Sequence, residues 1–512
     1  MSLINLPYNA YYLSIIDHIN METKNYLNRI VVDNPNFRKS AGLLSMIAFS
    51  LGNIIGSGIL LLPAVTASMA GGLTPLVWLA GGIMLLPLVF VYSQLAKMYP
   101  VVGSKVRFVN VTHGKVLASS VGWLYLIGTL FVVPIEAEAS LQYLSYIFPS
   151  LWSNGSPTLA GDLVEIGIVS AIYFLVYMGI RTQSLSVNVI TYTKLGILAL
   201  YVALVGILAF HPSNFTIPTQ SGTSTFLDAI ALTMFAYGGF RSAMVYAGES
   251  KNKNQTGKAI LIAFLLSMIV YTLVPIVFIG SLTPEILGHG WGYVSKMSAP
   301  LTQSALIAGI PVLGALFIID GVISPSGASL IGAGDISRYM YALVKVGSAP
   351  KGLGKVSEKR GIPVIPTLLS LLASIVLLFV SPTFEQSIGY LIAAHVLGYA
   401  TGPISLYVLT SNRGYKAISM VGFITSGLIY TWLGFPKTLF GTLIIGVSML
   451  VMAMINRPVK PALWYVGYAM VLTTISVLVS NTIYEIIATL ALAPVFFALA
   501  IKSAKGSGEV EA

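Results

Sequence analysis

Residues Gly52–Leu60 read GNIIGSGIL, in the middle of the first long apolar run of the chain. Three glycines and a serine within seven residues are poor helix formers. In hydrocarbon, unwound backbone is tolerated only where protein or a water-filled cavity satisfies its N–H and C=O groups. The stretch therefore predicts a helix broken at membrane depth, with the break lining a site. The plainer alternative is close helix packing through small residues. A second glycine-bearing interruption, FAYGGFR at Phe235–Arg241, falls about five apolar runs later. That spacing is expected of two inverted repeats with one binding site at their interface.

Working outward, composition sets the class. Of 512 residues, 56% are hydrophobic and 9% charged, and mean hydropathy is +0.85. That leaves too little polar surface for a soluble chain of this length. The apolar runs have the roughly 20-residue length of spanning helices rather than the alternating ~10-residue strands of an outer-membrane barrel. The expected fold is an all-α polytopic membrane protein. Cysteine is absent, which excludes disulfides and thiolate metal sites and leaves the redox compartment open.

Runs near 42–68, 75–96, 117–148, 163–180 and 185–210 form a first set of five, and 226–248, 258–281, 303–334, 364–380 and 386–409 a second. Four more near 417–434, 438–456, 462–480 and 483–501 bring the expected total to about 14 transmembrane helices, with 12 as the alternative. The expected organisation is a tail over 1–40, a first repeat over 41–211, a second over 212–410, further spans over 411–502, and a tail over 503–512. With both termini in the cytoplasm, every Lys and Arg except Lys194, Arg241, Lys296 and Lys437 falls on the cytoplasmic side, as the positive-inside rule requires. This assigns Lys105, Arg107 and Arg338 to cytoplasmic loops. The net charge of +11 is thus topological, and no nucleic-acid partner is needed to explain it. The first 40 residues lack the form of a signal peptide and predict a cytoplasmic tail with an interfacial helix around Tyr11–Leu27.

Four stretches, in order, resemble the amino acid-polyamine-organocation (APC) transporters. GNIIGSGIL is similar to the first-span motif of that superfamily. WLAGGIMLLPLVFVYSQLAKMYPVVGS (Trp78–Ser104) is similar to its second span and following loop, with Gln94 in place of the usual Glu and Ser104 in place of the second Gly. FAYGGFRSAMVYAGESKN (Phe235–Asn252) resembles the sixth span, and SRYMYAL through GIPVIP (Ser337–Pro366) the eighth span and its loop. Together they cover roughly residues 42–410; the last two apolar runs are not needed by the ten-helix core that the resemblance implies. It implies a five-plus-five inverted repeat with discontinuous first and sixth helices, and a secondary transporter of amino acids or related amines in the cell membrane.

Physics points the same way. At a broken helix, free N–H groups favour an anion and free C=O groups a cation. Backbone at Gly56, Ser57 and Gly58 is expected to receive a substrate carboxylate, and carbonyls around Ile54, Ile55, Phe235 and Ala236 the amino group. Tyr237 and Gly238 complete the predicted site. In the resemblance, an aromatic at Phe235 or Tyr237 caps the substrate; ordinary packing is the alternative.

Lys194 lies inside the fifth apolar run, where an uncompensated ammonium is costly. The resemblance places it where sodium-coupled relatives hold a cation, which implies proton coupling; snorkelling to the interface is the alternative. Glu136 and Glu138, two apart, cannot share a helix face. Asp320 precedes Ser324, Ser326 and Ser329, which can offer oxygens to Lys194 or to a cation. Arg241, a departure from the superfamily pattern, is expected to pair with Asp320 or Glu138 or to meet an acidic substrate side chain. His395 is either a proton relay or a hydrogen-bonded core group. Glu249, Lys251, Asn252, Ser337 and Arg338 are read as a cytoplasmic gate or charge network.

No HExxH, paired His ligands or Ser/His/Asp grouping falls in the spans. The expectation is therefore not an enzyme and no cofactor, with an amino acid, protons and the lipid bilayer as partners and the oligomeric state open. Sodium-coupled or exchange transport of amino acids or polyamines, and a non-transporting amino acid sensor, are the competing functions.

Overall fold

Helices overlie the apolar runs, and the first one breaks where the glycines lie. The computed structural model describes residues 32–219, 222–252, 254–380, 384–479 and 481–510, without the side chains of 223, 224, Phe235, 384–386 and 505–510. The helix expected around Tyr11–Leu27 lies outside the described residues. Helix α1 (Leu43–Ile54) and α2 (Ser57–Ala70) are separated by Ile55 (φ −80°, ψ 88°) and Gly56 (φ −124°, ψ −142°), both outside the helical region. The chain continues as α3 (Thr74–Met98), α4 (Ser104–Leu130), α5 (Val132–Ser145), α6 (Leu159–Tyr177) and α7 (Ile180–Leu208). Then come α8 (Thr223–Tyr237), a 3-10 turn over Gly238–Arg241, α9 (Ser242–Val245) and α10 (Gln255–Ser281). Short helices α11 (Pro284–Gly288), α12 (Trp291–Val294) and α13 (Pro300–Ile307) lead into the long α14 (Pro311–Lys345). The rest is α15 (Val364–Val380), α16 (Phe384–Leu409), α17 (Arg413–Trp432), α18 (Lys437–Met454), α19 (Leu463–Leu478) and α20 (Thr482–Val510). The one departure from helix among the named strands is a hairpin of two-residue strands, Trp152–Ser153 with Ser156–Pro157, whose turn residues Asn154 and Gly155 both have positive φ.

Ten helical stretches among the described residues are long and apolar enough to cross a membrane. Their outer faces carry apolar side chains: Ile207 is 79% and Leu372 62% exposed, and Leu163, Phe174, Ile269 and Val447 are exposed too. In water such belts would be an aggregation hazard; against acyl chains they are solvated. The polar residues turn inward. On α15 the buried positions are Pro366, Thr367, Ser370 and Ser374, and Ser374 Oγ meets Tyr173 Oη at 2.9 Å, while Leu368, Leu369 and Leu372 face out. Small and hydroxyl-bearing residues at helix contacts are the usual solution where lipid supplies no hydrophobic drive between helices.

Helix α1 sits centrally, packed by α7, α10, α14 and the 3-10 turn at Gly238–Arg241. Helix α14 runs along α4, α5 and α7, and α16 along α4 and α17. The closest backbone approach is at Gly239: a Cβ there would collide with the Asn53 carbonyl and the Ile54 amide. Only glycine lets the two interruptions touch.

Two expectations are corrected. Lys105 and Arg107 do not lie in a solvated loop. They sit on the first part of α4, a helical segment that precedes a kink at Gly114 (φ 79°, ψ 178°), and they are 3% and 1% exposed. The segment is too polar to stand out by hydropathy, yet it is buried because its cations find partners inside: Lys105 lies over the rings of Tyr125 and Tyr339, and Arg107 pairs with Asp33. Arg338 is likewise buried within α14, beyond the expected end of that run, and forms a two-pronged ion pair with Glu249 (2.8 and 3.0 Å).

The segment before α1 is pinned to this same face. Asp33 accepts from the Val102 amide, Asn34 N–H donates to Tyr341 Oη at 2.9 Å, Asn36 Nδ2 donates to the Val356 carbonyl at 3.1 Å, and Ala41 bridges to the chain at Ser250.

Candidate functional site

The break between α1 and α2 leaves carbonyls at one end and amides at the other, and side chains from three other helices fill both. Lys194 on α7, wholly buried, donates through Nζ to the carbonyls of Gly52 at 2.8 Å, Ile55, and Ser324 at 3.4 Å. All three ammonium donors thus find an oxygen, and the charge sits at the negative end of α1. Tyr271 on α10 donates to the Ile54 carbonyl and stands 3.4 Å from that of Ala236, so one phenol touches both interruptions. On the other side, Glu136 on α5 accepts from the Ser57 amide at 2.8 Å, at the positive end of α2. Gly56 makes room for it, since a Cβ at Gly56 would lie 2.7 Å from Glu136 Oε1.

The second interruption differs in kind from the first. Tyr237 (φ −79°, ψ −14°) and Arg241 (φ −89°, ψ 0°) stay close to helical space, so the helix tightens to 3-10 instead of opening. Hydrogen bonds tie it to α1: Ser50 Oγ donates to the Phe240 carbonyl at 2.7 Å and accepts from the Ala243 amide at 3.2 Å, and Asn53 Nδ2 donates to Ser242 Oγ at 2.6 Å. Ser242 in turn donates to Asp335 at 3.2 Å.

Between the two interruptions lies a cavity of about 40 Å³, lined by Asn53, Ile54, Gly58, Glu136, Ala236, Gly238 and His395 among others. At ~10–15 Å³ per water it holds roughly three. Of the residues expected at the site, Ile54, Gly58, Ala236 and Gly238 border this cavity, Gly56 and Ser57 adjoin it through Glu136, and Ile55 is held by Lys194 beside it. Tyr237 is turned away: its hydroxyl donates to the Trp78 carbonyl at 3.1 Å and its ring packs on Tyr271 and Phe264. The Phe235 side chain lies outside the described residues.

The charged candidates distribute as follows. Glu136 and Asp320 are the carboxylates whose fields reach Lys194. Neither oxygen of buried Asp320 has a hydrogen-bond partner among the described residues. Ser326 bonds back to the Val322 carbonyl of its own helix at 2.7 Å, and Ser324 offers Lys194 its main-chain oxygen. Glu138 is half-buried on the other face of α5 from Glu136. Arg241 forms no ion pair among the described residues; tyrosines surround it. His395 Nε2 is 3.1 Å from Thr129 Oγ1. Glu249 and Arg338, expected in a cytoplasmic network, form the ion pair described above.

Sequence reasoning did not foresee Tyr271, Asn53 or Asp335. A lone tyrosine in an apolar run carries no local signal. The pairing of Asn53 with Ser242 depends on contact between segments 189 residues apart.

A helical membrane protein with a polar, self-satisfied helix break at its centre is the architecture of a secondary carrier. The sequence profile of the amino acid permease family matches residues 42–502. The chain belongs to that family, within the amino acid-polyamine-organocation superfamily. It is 29% identical over 476 residues to the glutamate/serine transporter AimA of Bacillus subtilis, covering 86% of this chain and 87% of that one. It is 29% identical over 417 residues to an aspartate-proton symporter of the same organism (78% and 80% covered), and 24% identical over 345 residues to the branched-chain amino acid permease BcaP (65% and 72%). The protein is therefore an integral membrane amino acid transporter and not an enzyme.

Proposed function

We propose that the chain is a proton-coupled amino acid symporter working by alternating access, with substrate bound at the α1–α2 break and against Ala236–Gly238. The observation that carries this is the buried Lys194 ammonium on the carbonyls of Gly52, Ile55 and Ser324. A titratable cation there does what a bound metal cation would do, holding the end of α1 against α7 and α14. Loss of its proton weakens that hold and lets α1 move. Its depth and its three carbonyl partners argue against snorkelling.

The substrate's carboxylate takes the Ser57 amide from Glu136, and its amino group takes the Ile54 and Ala236 carbonyls from Tyr271. The roughly three-water cavity must widen for this, so substrate entry and helix movement are one event. The architecture we assign is five-plus-five, with residues 41–211 and 212–410 as inverted repeats, about fourteen spans, both termini cytoplasmic, and the helices of 411–502 outside the core. A relative that carries aspartate with a proton, matched over four-fifths of its length, supports the coupling ion.

The test is uptake of a panel of labelled amino acids into proteoliposomes under an imposed proton or sodium gradient. Accumulation that follows the proton gradient and ignores sodium is expected; accumulation that follows sodium refutes the coupling.

A further inference from the structure

Three buried cations gather just beyond the cavity, on the side of the second interruption. Arg338 is neutralised by Glu249. Among the described residues, Asp335 is the one further carboxylate near Lys105 and Arg241; one of its oxygens accepts from Ser242 and the other has no partner there. Arg241 itself forms no ion pair among the described residues.

Arg241 is the cation with the poorest hydrogen bonding. It is 1% exposed, and its Nε and Nη1 donors have no partner. Its guanidinium lies 3.7 Å from the ring centroid of Tyr399, 5.0 Å from that of Tyr125 and 5.3 Å from that of Tyr92. Aromatic faces offset part of the desolvation of a cation, but they leave Nε and Nη1 without an acceptor among the described residues. Two guanidinium donors, Nε and Nη1, left unpaired in a dry place are groups of the kind that recognise a carboxylate.

Its position relative to the cavity fits that use. Gly238 borders the cavity and Arg241 follows three residues on, about 6 Å along a 3-10 axis at ~2 Å per residue. A substrate side chain of two or three carbons, at ~1.5 Å per bond, plus a hydrogen bond of about 2.8 Å, covers that distance. The Tyr399 hydroxyl reaches the Gly238 carbonyl at 3.5 Å while its ring lies against the guanidinium, so Tyr399 stands at the doorway between the two.

We propose that Arg241 receives a carboxylate on the side chain of the substrate, making acidic amino acids the substrate class. The inference rests on the reading of the helix break as the substrate site. An amide or alkyl side chain leaves the fork unpaired, and a buried polar group without its partner discriminates strongly against the wrong ligand. Turning Tyr399 aside admits the carboxylate, which completes the charge balance of the chamber.

The test is counterflow in proteoliposomes without any ion gradient, which separates selectivity from coupling. The unmodified full-length protein is loaded with L-glutamate, L-aspartate, L-glutamine, L-asparagine or L-alanine in turn. We expect the acids to exchange at least tenfold faster than their amides, and Arg241→Gln to lose that preference. Should Arg241→Gln not assemble, Arg241→Lys serves: it keeps the charge without the planar fork, and the acid-to-amide ratio is expected to fall at least threefold. Equal or better exchange of the amides by the unmodified protein overturns the inference and leaves amino acid transport intact. So does an acid preference unchanged in Arg241→Gln, or, where that variant does not assemble, in Arg241→Lys. Absence of exchange with any amino acid overturns the substrate site and this inference together.

Discussion

Replacing Lys194 by alanine separates two tasks carried by one ammonium. The first is structural. Nζ donates to Gly52 at 2.8 Å and to Ile55, with a longer contact of 3.4 Å to Ser324. A buried carbonyl stripped of its donor costs ~1–3 kcal/mol, so the two closer bonds set a loss of about 2–6 kcal/mol. Water entering the vacated polar space brings it toward the lower end. The second task, in the proposed mechanism, is coupling. One pH unit is worth about 1.36 kcal/mol per proton, which lets a one-proton symporter concentrate its substrate at most about tenfold across that gradient. In Lys194→Ala the accumulation ratio under a one-unit gradient is expected to fall to one, while counterflow persists. Thermal unfolding in detergent reads the structural loss on the same preparation. The reasoning is refuted if the variant still accumulates substrate against its gradient at the level of the unmodified protein. Lys194→Met, which keeps the apolar stem, gives the same readout if the alanine variant does not reconstitute.

Glu136→Gln keeps an oxygen for the Ser57 amide but removes its charge, and the difference between charged and neutral hydrogen bonds is about 1 kcal/mol. If Glu136 competes with the substrate carboxylate, KM for uptake should fall about fivefold at that energy; a KM that rises shows instead that Glu136 helps hold the substrate. Gly239→Ala forces a Cβ into the Asn53 carbonyl, and properly folded yield on size-exclusion chromatography should drop severely, whereas Gly196→Ala, with open space at its Cβ, should be neutral. Yields that do not differ would remove the close approach of the two interruptions as a requirement. Removing one partner of the buried Arg338–Glu249 pair should cost ~3–5 kcal/mol, read as a lowered Tm in Arg338→Met or Glu249→Met. The double variant should recover much of the loss, and additive losses would mean that the pair is not an energetic unit.

Much of the architecture could be read from residues that break a rule. Gly52, Gly56 and Gly58 interrupt an apolar run, and a helix break is there. Lys194 is a charge at membrane depth, and its ammonium is at that break. Both signals are local. What stayed hidden depends on which face of a helix turns inward. Glu136 and Glu138 are equivalent in sequence; only packing of α5 on α14 brings Glu136 to Ser57. Tyr271, Tyr399 and Tyr125 look like the other aromatics of the chain, and their roles arise from contacts spanning 35 to 217 residues. The 3-10 turn at Gly238–Arg241 tightens rather than opens because Ser50 and Asn53 already meet its backbone and Ser242, which no count of glycines reveals. Lys105 and Arg107 misled for the opposite reason: charge marks a loop only when nothing inside can receive it.

The helix break described above is occupied by the protein itself. On the proposed reading, the places a zwitterion would take are held by tethered substitutes, Glu136 for the carboxylate and Tyr271 for the amine. An empty carrier of this kind rests in a well of its own making. To reorient without cargo it would have to bare helix ends in a low-dielectric interior, so in the proposed mechanism the groups that substrate displaces also suppress futile cycling that would drain the ion gradient.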